Sequence, residues 1–121
     1  MRLPVEVFIV VRRGEEYLVV HRVPAGGSYW HGIAGGVEEG ESPEAAAARE
    51  LREETGLVAT PTPLAMPYTY DAIEVHNFLV EVEPGWEPDL NEEHDDYRWC
   101  SRADAIALLE WPEPRELLRA L

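Results

Sequence analysis

Across 121 residues this sequence has one cysteine, no lysine and no glutamine. The single thiol, Cys100, excludes an internal disulfide and a thiolate metal cluster, and reads as a small buried hydrophobe. Basic side chains are scarce: ten arginines face 24 acidic residues, for a formal charge of −14. A field of that sign repels nucleic acid and anionic membranes, so neither is expected as a partner. No apolar run approaches the length that crosses a bilayer, and the first residues carry no cleavable signal pattern. The expectation is a cytoplasmic protein. Repeats at solenoid or propeller periods are also missing, and the length suits one core, so residues 1–121 read as a single domain. Monomer and homodimer are both left open.

What is present is a run of strand-like and helical segments. Residues 4–13 place Val5, Val7, Ile9 and Val11 on one face and Phe8 and Val10 on the other, the pattern of a strand buried on both sides. Residues 17–23 return after the turn Gly14-Glu15-Glu16, and residues 29–37 read as extended. Ser42 and Pro43 mark a helix start, and Gly56 marks its end. Residues 57–70, broken by three prolines, suggest an irregular edge strand; residues 73–82 make a better one. An acidic loop over residues 84–95 leads to a short strand at 97–100 and a helix capped by Ser101, with Ala103, Ile106, Ala107 and Leu108 or Leu109 as its apolar face. Trp99 and Trp111 read as core, and the four histidines show no metal-ligand spacing. The class is α+β, a mixed sheet between helices.

The chemistry concentrates in residues 35–57. Glu50, Glu53 and Glu54 are spaced i, i+3, i+4, which sets three carboxylates on one helix face near the end where the helix dipole disfavours negative charge. Alone, they would read as a solvated acidic surface. Their company argues otherwise: Gly35, Gly36 and Gly40 form a flexible loop just upstream, Arg49 can pair with Glu53, and Ala47, Ala48 and Leu51 suit close packing on a sheet. Clustered carboxylate oxygens are what Mg²⁺ and Mn²⁺ prefer, and Mg²⁺ leaves positions for phosphate oxygens. An acidic protein handling phosphates needs such cations to invert the local field. Arg22 is a candidate phosphate contact, and Tyr29, Trp30 and Tyr70, with Tyr68 and Trp86, are candidate stacking partners for a ring.

The pattern Gly35, five residues, Glu41, seven residues, Arg49-Glu50-Leu51-Arg52-Glu53-Glu54-Thr55-Gly56-Leu57 resembles a complete Nudix box, with every specified position filled. Trp30 resembles the aromatic that often precedes the box. Residues 93–99, Glu-His-Asp-Asp-Tyr-Arg-Trp, are similar to a signature of dihydroneopterin triphosphate pyrophosphatases and diadenosine tetraphosphate hydrolases. Ile33-Ala34-Gly35 departs from the commoner Pro-Gly-Gly, a difference bearing on subfamily more than activity. The resemblance implies the Nudix fold, a mixed sheet sandwiched between helices, and Mg²⁺-dependent hydrolysis of a small nucleotide-like diphosphate. It implies Glu50 and Glu54 as metal ligands, Glu53 as a third ligand or water organiser, Arg49 as orienting Glu53, and the Gly35 carbonyl as a metal contact. Glu41 becomes a loop or outer partner, and Glu93 an extra ligand or general base. A non-catalytic sensing or partner-binding module on the same fold is the alternative.

Overall fold

The computed structural model describes residues 2–121, with side chains from Pro4 onward; Met1, and with it the start of the expected 1–121 domain, lies outside the described residues. The strands are β1 (Arg2–Arg13), β2 (Glu16–Arg22), β3 (Trp30–His31), β4 (Ile33–Glu38), β5 (Thr62–Pro63), β6 (Tyr68–Tyr70), β7 (Ile73–Glu81) and β8 (His94–Cys100). The helices are α1 (Pro43–Thr55), α2 (Arg102–Leu108) and α3 (Pro112–Ala120).

β1 organises the sheet because both its faces are apolar. It runs parallel to β7 from Val5 to Arg12 and antiparallel to β4 from Glu6 to Ile9, while its far end turns into the β2 hairpin. β2 in turn pairs with β3 and β8. On one face Val7, Ile9 and Val11 meet Ala46, Ala47 and Leu51 of α1. On the other, Phe8 and Val10 meet Ala105 of α2, Leu109 just past it, and Leu117 and Leu118 of α3. The result is the expected α+β arrangement, with a mixed sheet between helices.

The α1 boundaries follow from local chemistry. Ser42 Oγ accepts from the Ala45 amide at 3.1 Å, Pro43 occupies the first turn, and Gly56 closes the helix at φ +80°, its amide bonding to the Arg52 carbonyl. Packing departs from the sequence reading in two helices. Ala46, not Ala48, lies flat on the sheet with Ala47 and Leu51, because the helix is rotated to bring Glu50 and Glu54 inward. In α2 the buried positions are Ala105 and, just past the helix, Leu109, an i, i+4 pair that leaves Ala103 and Ala107 exposed. Trp111 is 47% exposed rather than core. Residues 57–72 supply only the two short strands β5 and β6, since the prolines withhold amides from a continuous ladder.

β6 and β7 join through Asp71 and Ala72, both left-handed at φ +45° and +63°, as a two-residue type I′ hairpin requires. Asparagine or glycine suits these positions, whereas alanine is strained there. Ala72→Gly is therefore expected to stabilise the fold by about 1 kcal/mol, read as a higher urea midpoint at unchanged m-value.

Candidate active site

A cleft of about 700 Å³ opens over the middle of β1. Its inner end is formed by Gly35 and Gly36 of β4, Glu50 and Glu53 of α1, and Glu93 and His94 at the start of β8. Its outer end is formed by Tyr68, Tyr70 and Asp71 of the hairpin and by Tyr29, Trp111 and Glu113. Arg22 and His31 lie in the wall.

The helix delivers its glutamates to different environments. Glu50 and Glu54 are 8% and 1% exposed, whereas the Glu53 side chain keeps 44% of its surface at the rim. Glu50 lies so close to β4 that a Cβ on Gly35 would fall 2.1 Å from its Cδ. Gly35 is thus a glycine because the carboxylate occupies the space of a side chain.

Arg49 ties the loop to the helix. Its Nε and Nη2 donate to the two Glu41 oxygens at 2.8 and 3.0 Å, Nη2 also reaches the Gly36 carbonyl, and Nη1 donates to Glu50 at 2.8 Å and Glu53 at 3.3 Å. The pairing with Glu53 expected from the sequence is present but is the longest of the set. Glu41 and then Glu50 hold the guanidinium charged, and Arg49 holds the Glu41 carboxyl below its ordinary range.

Glu54 lies beneath this layer. Burial first, then the hydrogen bond and charge of Glu50, then the charge of Glu93, push its carboxyl up to about 10, against a favourable contact with the Ala34 amide. Its Oε2 is buried and has no hydrogen-bond partner. His94 Nε2 stands 3.8 Å from Oε1, both side chains 2% exposed; this is too long for a hydrogen bond, and burial holds the His94 pKa down, so the imidazole is a neutral neighbour. Two crowded carboxyls, one with an orphaned oxygen, fit a hard cation, which would replace the proton that keeps Glu54 neutral. Among the described residues, no three His, Cys, Asp or Glu side chains already form a metal-ligand group.

Glu93 also lines the cleft, its side chain 41% exposed. Arg22 Nη1 donates to Glu93 Oε1 at 3.1 Å, so the candidate phosphate contact is engaged with a carboxylate. Tyr29 and Tyr70 line the cleft, but Trp30 does not: it packs between His21 and Arg98. Trp86 packs on Trp99, away from the cleft.

Sequence reasoning missed three participants. Trp111 stands edge-on to Tyr29 at the cleft rim, 5.8 Å between ring centroids. His31 is held neutral in the wall, its pKa lowered to about 4 by burial first and then by His94 and Arg22. Asn91 is bonded to Glu93. Only Asn91 left a signal, an asparagine two residues before a candidate site residue.

With the α1 carboxylates, the glycine cradle and the cleft in place, the protein falls in the class of α+β domains that set clustered helix carboxylates into a cleft on a mixed sheet. A family model described as the NUDIX domain matches residues 2–121, and the chain belongs to that family. It has the Nudix fold. A dihydroneopterin triphosphate pyrophosphohydrolase of E. coli superposes with a TM-score of 0.87 over 99% of this chain and 95% of that one, at 20% identity, a likeness of fold. An Ap4A hydrolase of C. elegans gives 0.81 over 95% and 93%, at 27% identity. An octanoyltransferase of Myxococcus xanthus is 34% identical over 95% of this chain, which spans 35% of that protein. No helix among the described residues is long and apolar enough to cross a membrane.

Proposed function

We propose that this domain hydrolyses a diphosphate linkage in a nucleoside-diphosphate-type small molecule, with Mg²⁺ or Mn²⁺ as cofactor; dihydroneopterin triphosphate, a dinucleoside polyphosphate and a nucleoside triphosphate are the first candidates. The observation that carries this reading is the pair Glu50 and Glu54, crowded at the inner end of the cleft with a buried, unpartnered Glu54 oxygen. Glu50 and Glu54 would hold the cation, with Glu53, Glu93 and the Gly35 carbonyl as further candidate ligands. A cation held there would supply charge neutralisation for phosphate oxygens and would make water more acidic for attack on phosphorus.

The remaining work falls to the chain. Arg49 fixes Glu50 and Glu53 relative to the loop through its bonds to Glu41 and Gly36. Arg22 supplies the cationic side chain of the cleft wall, and a phosphate there would compete with Glu93 for it. Glu93, which lines the same cleft as Glu50, would take a proton from water where it does not ligate the cation. Tyr29 and Trp111, which pack edge to face, and Tyr70, also in the cleft lining, would offer ring faces to the non-phosphate part of the substrate.

Dihydroneopterin triphosphate, diadenosine tetraphosphate and dGTP, each offered with and without Mg²⁺ in ¹⁸O-labelled water, test the reading. Mg²⁺-dependent release of phosphate or pyrophosphate, with label on one product phosphorus, is expected. Absence of turnover on a panel widened to nucleotide sugars would refute it. The Myxococcus relative, in which the matching stretch is about a third of the polypeptide, favours a second reading as a module serving an acyltransferase. Stimulation of an octanoyl-transfer reaction by an added chain that turns over none of the panel would support that one.

A further inference from the structure

We propose that Asn91 is a positioning residue that holds the Glu93 carboxylate in one orientation in the cleft; this rests on the proposed role of Glu93. The bonds are reciprocal. Asn91 Nδ2 donates to Glu93 Oε2 at 3.1 Å, while Asn91 Oδ1 accepts from the Glu93 amide at 3.1 Å. Arg22 Nη1 takes the other carboxylate oxygen, and the Glu93 carbonyl accepts from the Val23 amide at 3.1 Å. The preceding loop is itself anchored, since the Asp89 amide bonds to the Thr55 carbonyl at the end of α1. The box helix and Glu93 are thereby spaced through one short connection.

The two holds on the carboxylate are not equivalent. Arg22 is a cation lining the cleft, and an arriving phosphate attracts it away from Glu93. Asn91 is a neutral amide outside the cleft lining, so its bond persists when substrate is bound. A glutamate side chain 41% exposed has several rotamers open to it, and one fixed donor reduces that freedom at the moment of reaction. Glu92, one residue earlier, is exposed and is not part of the cleft lining, so the asparagine holds the one of two adjacent glutamates that lines the cleft.

The test uses the full chain with Mg²⁺ and the panel substrate turned over fastest. Asn91→Ala is expected to lower kcat by about 10- to 100-fold with KM changed less than about twofold, the usual scale for a partner that orients a reactive ligand. Asn91→Asp keeps the acceptor for the Glu93 amide but replaces the donor with a like charge. It should lose kcat as the alanine variant does, with an unchanged unfolding midpoint. In a Glu93→Gln background, Asn91→Ala should add nothing, because the two act as one unit. Independent of turnover, amide hydrogen exchange at Glu93 should accelerate in Asn91→Ala and stay protected in Asn91→Asp. Full kcat in Asn91→Asp, an additive loss in the Glu93→Gln background, or unaltered Glu93 exchange in Asn91→Ala overturns the proposal. Full turnover by Glu93→Gln alone would instead remove the role of Glu93, a result distinguishable from all three.

Discussion

Glu54→Gln is expected to lower kcat on the order of a thousandfold or more while making the metal-free protein more resistant to heat at neutral and alkaline pH. Glutamine matches glutamate in shape, and its amide can still donate to Glu50, so packing is preserved. What disappears is the capacity to carry charge. In the folded protein the Glu54 carboxyl is raised to about 10, mainly by burial and then by Glu50, whereas in the unfolded chain it titrates in the ordinary carboxylate range. Between those two values the unfolded state has released a proton that the folded state retains. Stability is therefore greatest below the unfolded pKa and declines as pH rises toward the folded one. His31 runs the opposite way, with a folded pKa of about 4, but above pH 7 it is neutral in both states. The decline between pH 7 and 8 consequently belongs to the carboxyl, the buried Cys100 thiol, also raised by burial, adding its own decline only nearer pH 9, and glutamine should flatten the first part. Mg²⁺ supplies a second discriminating reading. It should raise the unfolding midpoint of the native chain, most at the alkaline end, and do little for the variant. A Glu54→Gln protein with native turnover, or one stabilised by Mg²⁺ as the native chain is, would remove Glu54 from the proposed ligand set.

That prediction depends on a distinction the sequence did not make. Spacing put Glu50, Glu53 and Glu54 on one helix face, yet neighbouring positions are about 100° apart around the axis, and the sheet decides which of them is buried. Packing of Ala46 and Leu51 on β1 and β4 turned Glu50 and Glu54 inward and left Glu53 at the rim. The ends of α1 were legible because Ser42, Pro43 and Gly56 act within a few bonds of themselves. The two-faced burial of β1 was legible for the same reason, in the alternation of its own residues. Long-range placements were not. Trp111 carries the composition of a core residue, but its position as the N-cap of α3, beside Tyr29, puts it at the cleft rim. Glu87 gave no local sign that it would accept bonds from Arg13, Tyr97 and Trp99 and so pin the acidic loop to two strands. Such hubs join residues far apart in the chain, and neither periodicity nor punctuation records them.

Gly35→Ala gives the second large effect, and its origin is steric. The backbone at Gly35 lies outside the left-handed range, so alanine meets no conformational barrier there. Its methyl group would instead sit 2.1 Å from Glu50 Cδ and 2.3 Å from Oε1. Contacts that short are impossible, and the neighbour is held: Glu50 is buried and bonded to Arg49, which is fixed by Glu41 and Gly36. Either the carboxylate leaves its place or β4 moves away from α1. Overpacking of this kind costs about 1–3 kcal/mol, and displacement of Glu50 should lower kcat by about a hundredfold. The double variant Gly35→Ala with Glu50→Ala separates the two consequences. Removing the carboxylate vacates the space, so the unfolding midpoint should recover toward that of Glu50→Ala alone while turnover stays lost. If the midpoint does not recover, the methyl group is not meeting Glu50, and the close approach of strand to carboxylate is not the reason a glycine stands at this position.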